Sequence, residues 1–352
     1  MGVSRMRGLV AAAAVVLLSL TACSTGPAGG GSEGGQSAAA TDQFPVTVEH
    51  AFGETVIKEQ PERVATVSWV NSDVALALGV VPVGMPKEDW GGNENGSTPW
   101  RDAKLEELGA AIGTENAPVQ YSEVDGINFD EVAELAPDVI LAAYSGLTQE
   151  DYDTLSKIAP VIAYPETPYG TDWQDSTKMI GQALGLSQQA EDLVAETEQT
   201  IVAKASEYPQ LAGKTFIYGN LEPAKGDGVN VYTANDNRPK FLSSIGMVQA
   251  DVVTDATKDS SEFFIPWSAE KANELESDVF VTWVPDNKTA QQITTDPLLG
   301  QIPAIKNDAL VADSDNTLTL SISAASPLSL PWALDTFLPM LGKAADAADA
   351  AK

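Results

Sequence analysis

The side chains best suited to chemistry are aromatics that fall where strands give way to loops. They are Trp69 after the first buried strand, Trp90 and Trp100 in a glycine-rich loop, and Tyr144 after Ile140-Leu141; the second half offers Tyr218, Tyr232, Phe263, Phe264, Trp267 and Trp283. In α/β sheets such positions face a ligand crevice, and flat aromatic faces with a few polar donors suit the capture of a bulky, partly apolar molecule. Trp90, Trp100, Tyr232 and Trp267 stand among polar neighbours, which marks them as groove residues. Beyond residue 22 the arginines are Arg63, Arg101 and Arg238. Arg63 opens a strand and has a structural task there, which leaves Arg101 and Arg238, one in each half, as donors to ligand oxygens. Lys87, Lys104 and Lys240 are further sources of positive charge.

The remaining reactive residue types are scarce. A zinc or manganese site needs about four protein ligands, usually with several histidines, and the sequence has only His50, in its opening hairpin. No Gly-x-Ser-x-Gly elbow, phosphate-cradling loop with lysine, or suitably set cysteine or histidine points to catalysis. The run Gly91-Gly92-Asn93-Glu94-Asn95-Gly96 lacks the strand-to-helix setting of a phosphate loop and reads as a groove edge. The chain is therefore expected to be no enzyme and to carry no cofactor or protein-bound metal. Its 20 basic and 50 acidic residues give a net charge of −30, which disfavours nucleic acid and anionic headgroups as partners.

These side chains need elements to hold them. The N-terminus carries Arg5 and Arg7, an apolar run from Leu9 to Leu20, and Leu20-Thr21-Ala22-Cys23, the order of an export signal. The run falls short of the roughly 20 residues that span a bilayer. Its tetrapeptide resembles the bacterial lipobox, which implies a signal peptide over 1–22 and lipid on Cys23. A tether of small residues over 23–43 follows. From Phe44 a hairpin, a strand at 63–67, a helix at 71–78 and a strand at 80–84 begin a β-α-β alternation. Residues 128–140 and 268–280 share a short helix and a buried strand at a constant offset of 140 positions, matching Glu134 to Glu274, Leu135 to Leu275 and Asp138-Val139 to Asp278-Val279. Between these segments, Ser187 to Tyr208 has helical spacing and no glycine or proline; its 22 residues would span roughly 33 Å. The expected fold is α/β, with two similar lobes built on central, mainly parallel sheets and joined by one long helix. The expected boundaries are 44–185 for the first lobe, 186–209 for the connecting helix and 210–350 for a second lobe closed by a C-terminal helix.

The ordered landmarks Pro61-Glu62-Arg63-Val64, Ala77-Leu78-Gly79-Val80-Val81-Pro82-Val83-Gly84, Asn128 through Leu141, Ile180 through Gly185, and Ser326-Pro327-Leu328-Ser329-Leu330 resemble the iron-siderophore and vitamin B12 class of ABC-transporter substrate-binding proteins. The resemblance implies a monomeric lipoprotein on the extracytoplasmic face of the cell membrane. It would hold a ferric chelate between its lobes and pass it to a permease driven by its ATPase. It also implies one docking acid per lobe, Asp130, with Glu131 as its substitute, and Glu270. With so few arginines in so acidic a chain, a hydroxamate or mixed chelate suits the groove better than a multiply anionic catecholate. Haem, with Tyr144 or Tyr232 as ligand, or cobalamin is the alternative, as is a surface receptor without transport.

Overall fold

The computed structural model describes residues 42–223 and 228–352; the export segment, Cys23 and residues 24–41 of the tether lie outside the described residues. The first half runs β1 (Val46–His50), β2 (Gly53–Ile57), β3 (Val64–Thr66), α1 (Asn71–Ala77), β4 (Gly84–Pro86), α2 (Pro99–Glu107), β5 (Val119–Tyr121), α3 (Phe129–Glu134), β6 (Val139–Ala142), α4 (Gln149–Leu155), β7 (Val161–Ala163) and α5 (Trp173–Ala183). β1 and β2 pair as an antiparallel hairpin. The other five strands form a parallel sheet in the order β5-β4-β3-β6-β7. Both of its faces are covered, so β3, β4, β6 and β7 are buried along their whole length, and only the edge strand β5 is partly exposed. Val139 and Leu141 enter the core beneath α5, while Ile140 and Ala142 enter the opposite core with Val132 and Leu155, as period-two alternation requires. Strand order reverses between β3 and β6, so a crevice opens at their carboxyl ends.

After α6 (Ser187–Ala205) come β8 (Thr215–Leu221), β9 (Val229–Tyr232), α7 (Asn237–Ser244), β10 (Val248–Gln249), α8 (Asp251–Ala256), β11 (Phe264–Trp267), β12 (Val279–Trp283), α9 (Asn287–Thr295), α10 (Pro303–Lys306), β13 (Leu310–Asp313), α11 (Asn316–Ser323) and α12 (Ser329–Ala350). Their sheet is ordered β11-β9-β8-β12-β13, with β10 beside β8. β8, β10, β12 and β13 are parallel, whereas β9 and β11 add an antiparallel arm. The chain is thus two α/β lobes with parallel-rich sheets, linked by a long helix.

The internal repeat has a physical basis. Asp138 accepts the backbone N–H groups of Glu62 (2.8 Å) and Arg63 (3.0 Å) ahead of β3. Asp278, 140 residues on, accepts the N–H (2.8 Å) and hydroxyl (3.0 Å) of Thr215 at the start of β8. Each aspartate pins the lobe's central strand to the loop before its neighbour. Arg63 completes the first of these joints by donating from Nε to the Ala136 carbonyl.

Three local expectations need correction. The strand placed at 80–84 lies at Gly84–Pro86. The C-terminus of α1 extends its capping through Gly79 and Val80, whose N–H groups bond the carbonyls of Leu76 and Ala75, and Pro82 has no N–H to give a ladder. The helix in the second repeat is a 3-10 segment, Ala269–Glu274, with Lys271 outside helical geometry; Ser268 makes no capping bond there, whereas Asn128 caps α3 through the N–H of Glu131. Third, α6 stops at Ala205, leaving 19 residues, or about 28 Å.

Short as it is, α6 belongs to both lobes. Ala190 is buried in the first lobe's core and Ile201 in the second's, with Val194 and Thr197 buried between them. At its start the carboxylate of Asp42 accepts the N–H (3.2 Å) and hydroxyl (2.6 Å) of Ser187.

Candidate functional site

At the switch point the carboxyl ends of β3 and β6 are held together by one side chain. Asn71, fully buried, donates from Nδ2 to the carbonyls of Val67 (2.8 Å), Trp69 (2.9 Å) and Tyr144 (2.9 Å), and its Oδ1 accepts the Tyr144 N–H at 3.1 Å. The β3–α1 turn is wound unusually, with Ser68 and Val70 at φ 63° and 57°. Such geometry costs a non-glycine residue roughly 1–2 kcal/mol, and the Asn71 bonds offset it. The Ser68 N–H also bonds Glu123 Oε2 at 2.9 Å. Burial, and then the charge of Glu88, raise the Glu123 carboxyl to about 7 against the opposing pull of that bond. The result is a rigid ledge that presents Trp69 and Tyr144 to the crevice, where Tyr169 lies 6.0 Å and 5.8 Å from them, ring to ring.

The facing wall comes from the second lobe. Tyr218 on β8 and Tyr232 on β9 sit edge to face at 5.8 Å. The Arg238 guanidinium lies 3.5 Å from the Tyr232 ring centroid, and its Nε and Nη2 donate to the two oxygens of Asp236 at 2.7 and 2.6 Å. Burial opposes this arginine's charge, yet bonding and attraction from Asp236 lift its pKa above the ordinary value. Burial likewise pushes the Tyr144, Tyr218 and Tyr232 hydroxyls upward, so they remain phenols able to donate. Trp283, at the end of β12, meets Trp90 of the first lobe at 6.1 Å. Phe263 and Phe264 close the side, and Asn220, Asn230, Asn237, Thr319 and Ser323 supply uncharged polar groups. Together these residues enclose a groove of about 550 Å3. Two hydroxyls in its lining, those of Tyr218 and Ser323, are buried without a hydrogen-bond partner among the described residues, and polar groups in that position can bond a molecule that enters the groove.

Three expected groove residues lie elsewhere. Trp100 lies in α2 and not in the glycine-rich loop, Arg101 follows it there, and the two are only 6% and 4% exposed. Both turn inward to Asp73, which accepts the Trp100 indole N–H at 2.6 Å and Arg101 Nε at 2.8 Å. Burial raises Glu88, 3.7 Å from Arg101, to about 7 even though that guanidinium opposes the shift. The Trp267 indole donates to the Lys271 carbonyl at 3.1 Å and packs on the second lobe's core. Asp130 and Glu270 are exposed, each in the first turn of its repeat helix. His50 is buried, its ring bonded to Thr55 and packed against Tyr152. Among the described residues no group of three or more His, Cys, Asp or Glu could hold a metal, and no helix is long and apolar enough to cross a membrane. Sequence reasoning missed Tyr169 and Asp236. Tyr169 follows β7 in a Pro-rich turn, and the rule applied to the other aromatics would have found it. Asp236 is visible only as an acid two places before Arg238.

A seam beside the groove joins the lobes. Val70, Trp100 and Tyr144 pack with Leu320, Ala324, Leu328 and Trp332. Ser326 donates to Asp73 (3.0 Å), Thr317 to the Gly91 carbonyl (2.7 Å) and Asn237 to the Tyr144 hydroxyl (3.2 Å), and Lys240 pairs with Asp172.

Comparison with known proteins places this geometry in context. Residues 64–317 match the family described as periplasmic binding protein. The probable siderophore-binding lipoprotein YfiY of Bacillus subtilis is 25% identical over 312 residues, 83% of this chain and 86% of the relative. Among solved structures, PiaA of Streptococcus pneumoniae in complex with ferrichrome is 38% identical, with TM-score 0.78, covering 86% of this chain and 99% of that one. A periplasmic solute binding protein of Mycobacterium smegmatis is 28% identical, with TM-score 0.70, covering 85% and 98% respectively.

Proposed function

The chain belongs to the periplasmic binding protein family, and from that premise we propose that it captures a ferric siderophore, of hydroxamate or mixed type, and delivers it to an ABC permease. The observation that carries this reading is an interlobe groove walled by tryptophan and tyrosine rings whose charged lining residues are one arginine and one aspartate bonded to each other. A siderophore already satisfies its iron with its own oxygens, so it needs apolar walls and a few donors rather than metal ligands. The similarity to PiaA with ferrichrome, a ferric hydroxamate, supports the same class. A binding protein of this family works outside the cytoplasm and has no catalytic task.

The chain is exported and held to the membrane by lipid on Cys23, its lobes divide at 44–185 and 210–350 about a connecting segment of 186–209 that holds α6, and it acts as a monomer. Asp130 and Glu270, one exposed acid per lobe, meet basic side chains of the permease. Titration of tryptophan fluorescence with ferric hydroxamates, ferric catecholates, haem and cobalamin tests the ligand class. Saturable quenching by a hydroxamate below about 10 μM, equivalent to about −7 kcal/mol, is expected. No binding in that range, or haem alone bound, overturns the reading. Exchanging Asp130 and Glu270 for arginine should abolish uptake into cells while leaving that titration unchanged.

A further inference from the structure

We propose that Asp236 sets the charge selectivity of the groove, cancelling Arg238 so that neutral and cationic chelates are accepted and anionic ones refused. The proposal rests on the siderophore reading and goes beyond it, because Arg238 alone would favour the opposite class: an arginine in a water-poor aromatic groove attracts anions strongly.

Among the described residues lining the groove, Arg238 and Asp236 are the charged ones. Their side chains are 19% and 10% exposed, so water screens their charges weakly. Asp236 occupies Nε and one edge of Nη2 in a two-point pair, and the Tyr232 ring lies against the guanidinium. What remains for a ligand is the outer edge of the fork, which still donates hydrogen bonds but presents no net charge. The acids whose charge also reaches this cluster, Glu222 and Asp313, are engaged by Asn220 and Thr319, and they add no attraction for anions.

Local structure does not require the carboxylate. Asp236 caps α7 by accepting the Arg238 N–H at 2.9 Å, a task that asparagine performs equally well. Its negative charge is therefore free to serve the guanidinium.

The test uses three ferric chelates of graded charge: neutral ferrichrome, monocationic ferrioxamine B and trianionic ferric enterobactin. In Asp236→Asn, the affinity for ferrioxamine B relative to ferrichrome should fall by about tenfold, and that for ferric enterobactin relative to ferrichrome should gain about tenfold or more. That gain should shrink as salt is raised. Asp236→Ser, which keeps a cap, should repeat the pattern, and the double variant Asp236→Asn with Arg238→Gln should return the selectivity ratios to those of the unmodified protein. Equal changes for all three chelates, or unchanged ratios, overturn the proposal while ferrichrome binding by the unmodified protein leaves the uptake reading standing. Failure of the unmodified protein to bind any of the three overturns both.

Discussion

Asn71 carries more of the site than any aromatic that touches the groove. Its four bonds join the ends of β3 and β6, and three of them serve the Val67 carbonyl and the Tyr144 carbonyl and N–H, backbone groups in a buried setting. Asn71→Ala should cost about 2–4 kcal/mol in urea unfolding and weaken ligand binding by loosening Trp69 and Tyr144 together. Glu123 tests the same ledge through pH. Its folded-state pKa lies near 7, above the unfolded 4.5, so the native state holds the extra proton between these values and stability falls as pH rises through that window. Glu123→Gln can still accept the Ser68 N–H but has no charge to bury. It should unfold like the parent below pH 4.5, become progressively more stable than the parent from there to about pH 7, and keep a constant advantage above, as followed by denaturant titration. Trp69, Trp90 and Trp283 line the groove whereas Trp100 is sealed in the seam. Replacing any of the first three by phenylalanine should remove part of the ligand-induced quenching, while Trp100→Phe should not.

At the level of elements, the parts that could be read from the sequence are those fixed by local pattern. The hairpin follows from alternation, the buried strands from apolar runs ending in turns, and the repeat from a pair of aspartates that do the same job in each lobe. What escaped depends on partners far along the chain. Trp100 and Arg101 have polar neighbours in sequence, and nothing nearby reveals that Asp73, 27 and 28 positions away, draws both into the interior. Trp267 was misplaced because the carbonyl that takes its N–H exists only where the following segment tightens into a 3-10 turn. The helix α6 was legible because a long amphipathic stretch without glycine or proline has few other outcomes. Its stiffness can be tested on the solvent side: changing the exposed pair Ala195 and Glu196 to glycine should lower stability by about 1–2 kcal/mol. It should also weaken binding, because the lobes then meet the ligand in a less fixed relation.

Across the whole molecule, the groove depends on contacts that neither lobe makes alone. Gly91 shows how close they are. It adopts φ 75°, and a Cβ there would stand 2.7 Å from the Asn316 carbonyl oxygen of the opposite lobe. Gly91→Ala should push the Trp90 loop off α11 and speed ligand release by about tenfold or more, measured as dissociation rate, with a smaller loss of overall stability, of about 1–2 kcal/mol. The aromatic walls of the groove follow from the rule that ligands meet the carboxyl ends of strands, whereas the seam beside it pairs residues as far as 253 positions apart, a relation that no spacing in the sequence encodes.

The position of Asp42 has a mechanical consequence. The Asp42 carboxylate grips Ser187 at the head of the interlobe helix, and its N–H bonds the Gly185 carbonyl. Any tension reaching Asp42 along the chain therefore enters where α6 is rooted in the first lobe, not at the rim of the groove. A pull there is borne by the first lobe and the root of α6, away from the aromatic rims of the groove, so it reaches the second lobe through the helix whose Ile201 lies in that lobe's core.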